Sequence, residues 1–299
     1  MANDLTNLTF LIGPVIQEAL RGMGPLYAAA NTDFSLIAAQ RGQTIDAVFP
    51  VSLTAKNVNP NASGSQAQSV TPTKVQLTLD TWREVDFFLT HKETAEISNG
   101  PAFIQGQIRQ AVEDLMGDFQ LKVFQVASSG STEITTYAST TGSLNQLTSS
   151  FGPLLTVRKA LSDAKAPQMQ RSMFFGTGEI NNLLQNPNLT RMNEAGTGET
   201  LRQGQIGRLF GFDIYESNYT PSNVSGSVNI GLQRTGLGIA VRPANSGPNV
   251  TVFTDPISGM PITLTITPQE YQTKWSLSYL AGVKVLNADL VQTLYSYGS

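Results

Sequence analysis

Residues 45–81 read IDAVFPVSLTAKNVNPNASGSQAQSVTPTKVQLTLDT. Ile45, Ala47, Phe49, Val51 and Leu53 fall on one face at the start of this stretch, and Val75, Leu77, Leu79 and Thr81 on one face at its end. That period of two is the signature of half-buried strands. The 54–74 segment between them carries no apolar period. A connection of that length is uncommon inside a compact domain, and a lone two-stranded ribbon is marginal in water. The apolar face is therefore expected to find cover on another molecule. Nine extended residues reach about 30 Å, enough to lie across a neighbouring subunit.

Upstream, residues 1–42 hold one short helical candidate at 15–21 and a Gly/Ala-rich continuation with little power to build a core, which reads as an arm. Downstream, Val85, Phe87 and Leu89 extend the returning alternation up to a Ser-Asn-Gly break. Gly100-Pro101 then opens a helix, because proline is well tolerated in the first turn. Ile104, Ile108, Ala111, Leu115, Phe119, Lys122 and Val126 recur at three- or four-residue steps, widened by Val112, Met116 and Val123, so one long amphipathic helix is predicted over 101–128. A Ser/Thr/Gly-rich connector to about 150, with a short strand at 133–137, suits a domain boundary.

Pro153 opens a second helix, with Leu154, Leu155, Val157, Leu161 and Ala164 inward, and Pro167 stops it. SMFFG reads as a buried strand and GEINNLLQN as a short helix, followed by a glycine-punctuated loop at 186–207 and short strands in GRLFGFDIYESN, VNIGL and GIAVRP. Finally Ile262, Leu264 and Ile266 alternate on one run and Trp275, Leu277, Tyr279, Ala281, Val283 and Val285 on another, as paired long strands that share a domain with the long helix. Helices and strands mix without a β-α-β rhythm, which predicts an α+β architecture and not a doubly wound nucleotide fold.

The chain has 299 residues, 40% hydrophobic, with a net charge of −3 and no cysteine. Disulfides, thiolate metal sites and a cysteine nucleophile are excluded, and cytosolic synthesis fits best. No basic leader with an apolar core opens the sequence, and no apolar run is long enough to span a bilayer, so neither secretion nor membrane insertion is expected. Charged residues are 14% of the chain, against roughly 25% in an average soluble domain. Interface cores are depleted in charge, so large homotypic contacts explain the deficit; a secreted β-rich binding module is the other explanation. Lys and Arg form no basic run, so nucleic acid would be contained and not gripped.

Catalysis finds no support. His91 is the single histidine and stands among Lys92 and Glu93 with no nucleophile partner. Glu113/Asp114 and Asp213/Glu216 read as helix-surface and turn carboxylates. Gly176/Gly178 and Gly196/Gly198 complete neither a dinucleotide fingerprint nor a phosphate loop. No catalytic residue, cofactor or metal is expected.

In order and spacing the chain resembles the major capsid (coat) proteins of tailed bacteriophages with the Hong Kong 97-type fold. The resemblance is carried by TVRKALSDAKAP, RSMFFGTGEINNLLQ, IGRLFGFDIYESN and WSLSYLAGVKVLNADL in that order. It implies an N-terminal arm at 1–42, an extended β-hairpin (E-loop) at 43–90, a peripheral domain at 91–149 with its spine helix, an axial domain at 150–235 and return strands at 236–299. It also implies a self-assembling icosahedral shell of pentamers and hexamers around a double-stranded DNA genome, located in the virion capsid and assembled in the host bacterial cytoplasm. With no internal scaffold region visible, a separate scaffolding protein is implied, with a portal protein and a possible decoration protein as further partners. A bacterial nanocompartment shell is the alternative within the same fold. The residues expected at contacts between subunits are Lys56, Lys74, Trp82, Arg83, Glu113, Asp114, Asp118, Arg191 and Arg202, with the hairpin lysines reaching a neighbour's helix carboxylates. The 186–207 loop is expected near each ring centre.

Overall fold

The computed structural model describes residues 6–33, 44–49, 55, 57, 73–96, 100–134, 147, 150–187, 189, 207–223, 226–244, 247, 249–255 and 259–296. The short helix expected at 15–21 is the middle of a much longer one, α1 (Thr6–Ala29). Its Ile12, Ile16, Leu20, Leu26 and Tyr27 are buried in the main core, so the segment expected to add little there supplies a flank of it. Pro14 and Pro25 sit inside this helix. Proline is costly in a helix interior, but burial of a whole apolar face outweighs local propensity.

The hairpin forms as expected at its base. Strands β1 (Thr44–Phe49) and β2 (Thr73–Thr78) pair antiparallel, with Ile45 opposite Leu77 and Ala47 opposite Val75. Its cover differs from the expectation: Ile45, Leu77 and Leu79 are buried against Ala240 and Leu280 of the same chain. The reason is a shallow seat of small residues. Ala240 lies opposite Gly282 in the underlying sheet, and a side chain at Gly282 would run into the Thr78 carbonyl oxygen. Gly282→Ala should therefore lift the hairpin base, lowering stability by roughly 1–3 kcal/mol and speeding hydrogen exchange of the β2 amides while the remaining strands keep their protection. The hairpin tip lies outside the described residues, apart from Ala55 and Asn57.

After β3 (Thr81–Thr90) and the one-and-a-half-turn α2 (His91–Glu96) comes α3 (Gly100–Gly130), the long helix expected over 101–128. Ile104, Ile108, Ala111, Val112, Leu115, Met116, Phe119, Val123, Phe124 and Ala127 form its buried stripe. The apolar face rotates away from Lys122 and Val126, which are half-buried, because 3.6 residues per turn favours 123, 124 and 127 over a strict four-residue step. The connector contributes β4 (Thr132–Glu133); of the strand expected at 133–137, residues 135–137 lie outside the described residues.

Next come α4 (Gly152–Asp163), β5 (Arg171–Phe175) and α5 (Thr177–Leu184). Leu154, Val157 and Leu161 of α4 point inward, whereas Leu155 is 45% exposed, against the expectation, and Ala164 is half-buried beyond the helix end. The buried Arg171 holds that end: its guanidinium donates to the carbonyls of Ala166 at 2.8 Å and Pro167 at 2.9 Å. Then follow β6 (Arg208–Leu209), β7 (Phe212–Glu216), β8 (Ser222–Asn223), β9 (Gly226–Gln233), β10 (Leu237–Arg242), β11 (Val250–Thr254), β12 (Pro261–Pro268), β13 (Gln272–Val285) and β14 (Val291–Ser296).

Two larger sheets share α3. In one, β13 is the central strand: β3 runs along one edge, and β12, extended by β11, and then β10 along the other, all antiparallel. Leu264 lies opposite Leu277 and Ile266 opposite Trp275, so the two late alternating runs pair as predicted. The other sheet has the order β4-β14-β9-β5-β7-β6, with β8 on β9 and with β5/β7 and β4/β14 parallel. Its Phe174, Ile230 and Leu232 face α3, while Met173 and Phe175 join Val157 and Leu183 in a second core. Phe119 meets Tyr279 edge-on at 5.5 Å on the first sheet, and Phe124 meets Phe174 edge-on at 6.3 Å on the second. The helix expected to share a domain with the late strands does so, and it also carries the other sheet.

Candidate assembly surface

The first sheet leaves one face of β3 uncovered. Val85, Phe87 and Leu89 pack toward the core, and Phe87 stacks on Trp275 with ring centroids 6.2 Å apart. By alternation Trp82, Glu84, Asp86 and Phe88 point the other way; Trp82 is 40% and Phe88 61% exposed. Lys274 reaches Asp86 at 2.6 Å and Glu84 at 3.5 Å, and Ser276 donates to the same Glu84 oxygen. Hydrogen bonding to Asp86 holds the Lys274 ammonium above its ordinary pKa. Charges on an exposed strand discourage indiscriminate pairing along its edge, so β3 presents a polar centre with an aromatic residue at either end.

Of the contact residues expected from the sequence, Arg83 and Asp118 come together within the chain. Arg83 Nε lies 3.2 Å from Asp118 Oδ2, and the Tyr279 hydroxyl donates to that same oxygen at 3.2 Å. Burial above all, and then the Asp118 charge, pushes the Tyr279 phenol well above its usual pKa, so it serves as a fixed donor. Asp114 accepts from Gln110 Nε2 at 3.0 Å, and Glu113 is half-buried on the same helix. Lys74, expected to reach a neighbour, lies 3.8 Å from Asp46 across the hairpin with both side chains exposed. Lys56, Arg191 and Arg202 fall outside the described residues, as does most of the 186–207 loop. The Lys274 cluster depends on β3 lying beside β13 and the Tyr279 contact on β13 packing against α3, so both escaped the sequence reading; for the first, the matched alternation of the two strands was the available signal.

Nothing in this surface resembles a reaction centre. His91 is exposed at the start of α2. Among the described residues no His/Asp/Glu group could hold a metal ion, and no helix is long and apolar enough to cross a membrane.

No protein-family model and no curated protein matches the chain. Solved structures do. A chain of Mycobacterium phage Che8 superposes with a TM-score of 0.65 at 17% identity, covering 89% of this chain and 88% of that one. The capsid structure of cyanophage P-SCSP1u gives 0.60 at 15% identity over 88% and 90%. The chain has the Hong Kong 97-type capsid fold. The virus-like particle from Pyrococcus furiosus also shares it, with a TM-score of 0.54 at 12% identity over 95% and 97% of the two chains. The likeness runs through nearly the whole of each chain.

Proposed function

We propose that this chain is the major capsid protein of a tailed bacteriophage, a structural subunit that forms pentamers and hexamers of an icosahedral shell around double-stranded DNA. The observation that carries this reading is end-to-end likeness to a phage capsid structure, with 88% of this chain and 90% of that one superposed. The exposed aromatic residues on β3 and the low share of charged residues support large contacts between copies. In this reading residues 150–235 form an axial domain whose 186–207 loop gathers near the ring centre, and Trp82, Lys56, Lys74, Glu113 and Asp114 lie at subunit contacts. Assembly takes place in the host bacterial cytoplasm with a separate scaffolding protein and a portal protein, and a decoration protein can join the finished shell. The chain catalyses nothing. A bacterial nanocompartment shell of the same fold, the alternative raised by the sequence, would differ in cargo and not in architecture.

Co-expression with its scaffolding protein should yield closed particles of megadalton mass, and expression alone should yield monomers, rings or aberrant shells. Light scattering with electron microscopy reads the difference. A stable monomer under both conditions would sink both shell readings, whereas closed particles found with a co-purifying enzyme and no scaffold would favour the nanocompartment.

A further inference from the structure

One turn of α3 is gripped from two sides. Glycine weakens a helix interior, yet α3 carries both Gly106 and Gly117. A side chain at Gly106 would meet nothing, whereas one at Gly117 would strike the ring of Tyr219. Tyr219 belongs to the loop that leaves β7, in the second sheet. Three residues further along α3, Gln120 Oε1 accepts from the hydroxyl of Ser217, in the same loop as Tyr219, at 3.1 Å in a buried contact. Asp118, about 100° round the helix from Gly117, is held by Arg83 and Tyr279 of the first sheet. Both sheets are thus fastened to α3 within residues 117–120.

We propose that this turn is a clamp fixing the angle between the two sheets, and that Tyr219 in its Gly117 notch is the positioning residue on which a single shell diameter depends. This rests on the shell reading above. Repeated contacts between identical copies close only when the rotation from one copy to the next is fixed. If ring contacts and side contacts are made by different sheets, that rotation inherits any play between them.

The chain has no cysteine, so Phe88→Cys on β3 and Leu155→Cys on α4 give two unique spin-label sites, one on each side of the clamp, both at exposed positions. Distances between the labels are measured by pulsed electron resonance on the full unassembled chain. The expected result is a narrow distribution for the parent and for Gly106→Ala, a broadened or shifted one for Tyr219→Ala and Gly117→Ala, and a return to narrow for Tyr219→Phe. With scaffold present, Tyr219→Ala should give particles of mixed diameter where the parent gives one. Should Gly117→Ala fail to fold, Tyr219→Ala decides alone. A Tyr219→Ala chain with the parent's distance distribution, or with its single particle diameter, would overturn the clamp. A parent that makes no closed particle would remove the shell reading instead, and the label distances would still judge the clamp.

Discussion

Removing residues 57–71 should leave the melting curve of the subunit unchanged and abolish closed particles. Among the described residues the buried contacts of the hairpin lie at its base, where Ile45, Leu77 and Leu79 sit on Ala240 and Leu280, and the deletion leaves these in place. The lysines flanking the tip are minor contributors: Lys74 already has Asp46 at 3.8 Å, with both side chains exposed, and an exposed pair contributes about 0–1 kcal/mol. In the shell reading the larger share is surface of the tip laid on a neighbour, and its loss is repeated at every contact of a closed shell. Circular dichroism and electron microscopy check the two halves separately. Native melting together with normal shells would make the segment a free surface loop.

Phe119→Ala should cost about 3–5 kcal/mol, which is the scale for truncating a fully buried aromatic residue. Phe119 is 3% exposed and touches three layers: it meets Tyr279 at 5.5 Å in the first sheet and Tyr27 at 6.4 Å in α1, from its place on α3. A domain of ordinary stability has about 5–15 kcal/mol in all, so the variant is expected to unfold at much lower denaturant with an unchanged slope. A midpoint shift no larger than that of a surface substitution would show that the three layers do not depend on this ring.

Period alone was enough to read α3, the β1/β2 base and the β12/β13 pair, because each buries one continuous face whose residues recur regularly. It failed for α1. The steps Ile12, Ile16, Leu20 were present, but Pro14 and Pro25 argue locally against a helix, and only packing on α3, where Arg109 meets Glu18 at 2.7 Å, outweighs them. It failed again for Leu155, since α4 has a narrow inner stripe and an apolar residue on its outer side obeys no pattern. In the candidate site the residue types were legible while their partners were not. Asp118, expected at a subunit contact, is held within the chain by Arg83 of β3 and Tyr279 of β13, strands far apart in sequence that no local pattern brings together. Gly117 carried a readable hint, a glycine amid good helix formers, but the ring filling its notch lies a hundred residues away.

The pairing of β3 with β13 also bears on how the chain is made. Glu84 and its partner Ser276 are 192 positions apart, which at ribosomal speeds of about 5–20 residues per second is a delay of about 10–40 s. Throughout that interval β3 has no strand to pair with, and Val85, Phe87 and Leu89 have no sheet to lie beneath. Nascent chains therefore pass through a long window in which this apolar face lacks its partner strand. They also cannot display the finished β3 surface or the seat for the hairpin until β13 has emerged. A copy terminated before β13 therefore lacks both the paired β3 and the seat of the hairpin base.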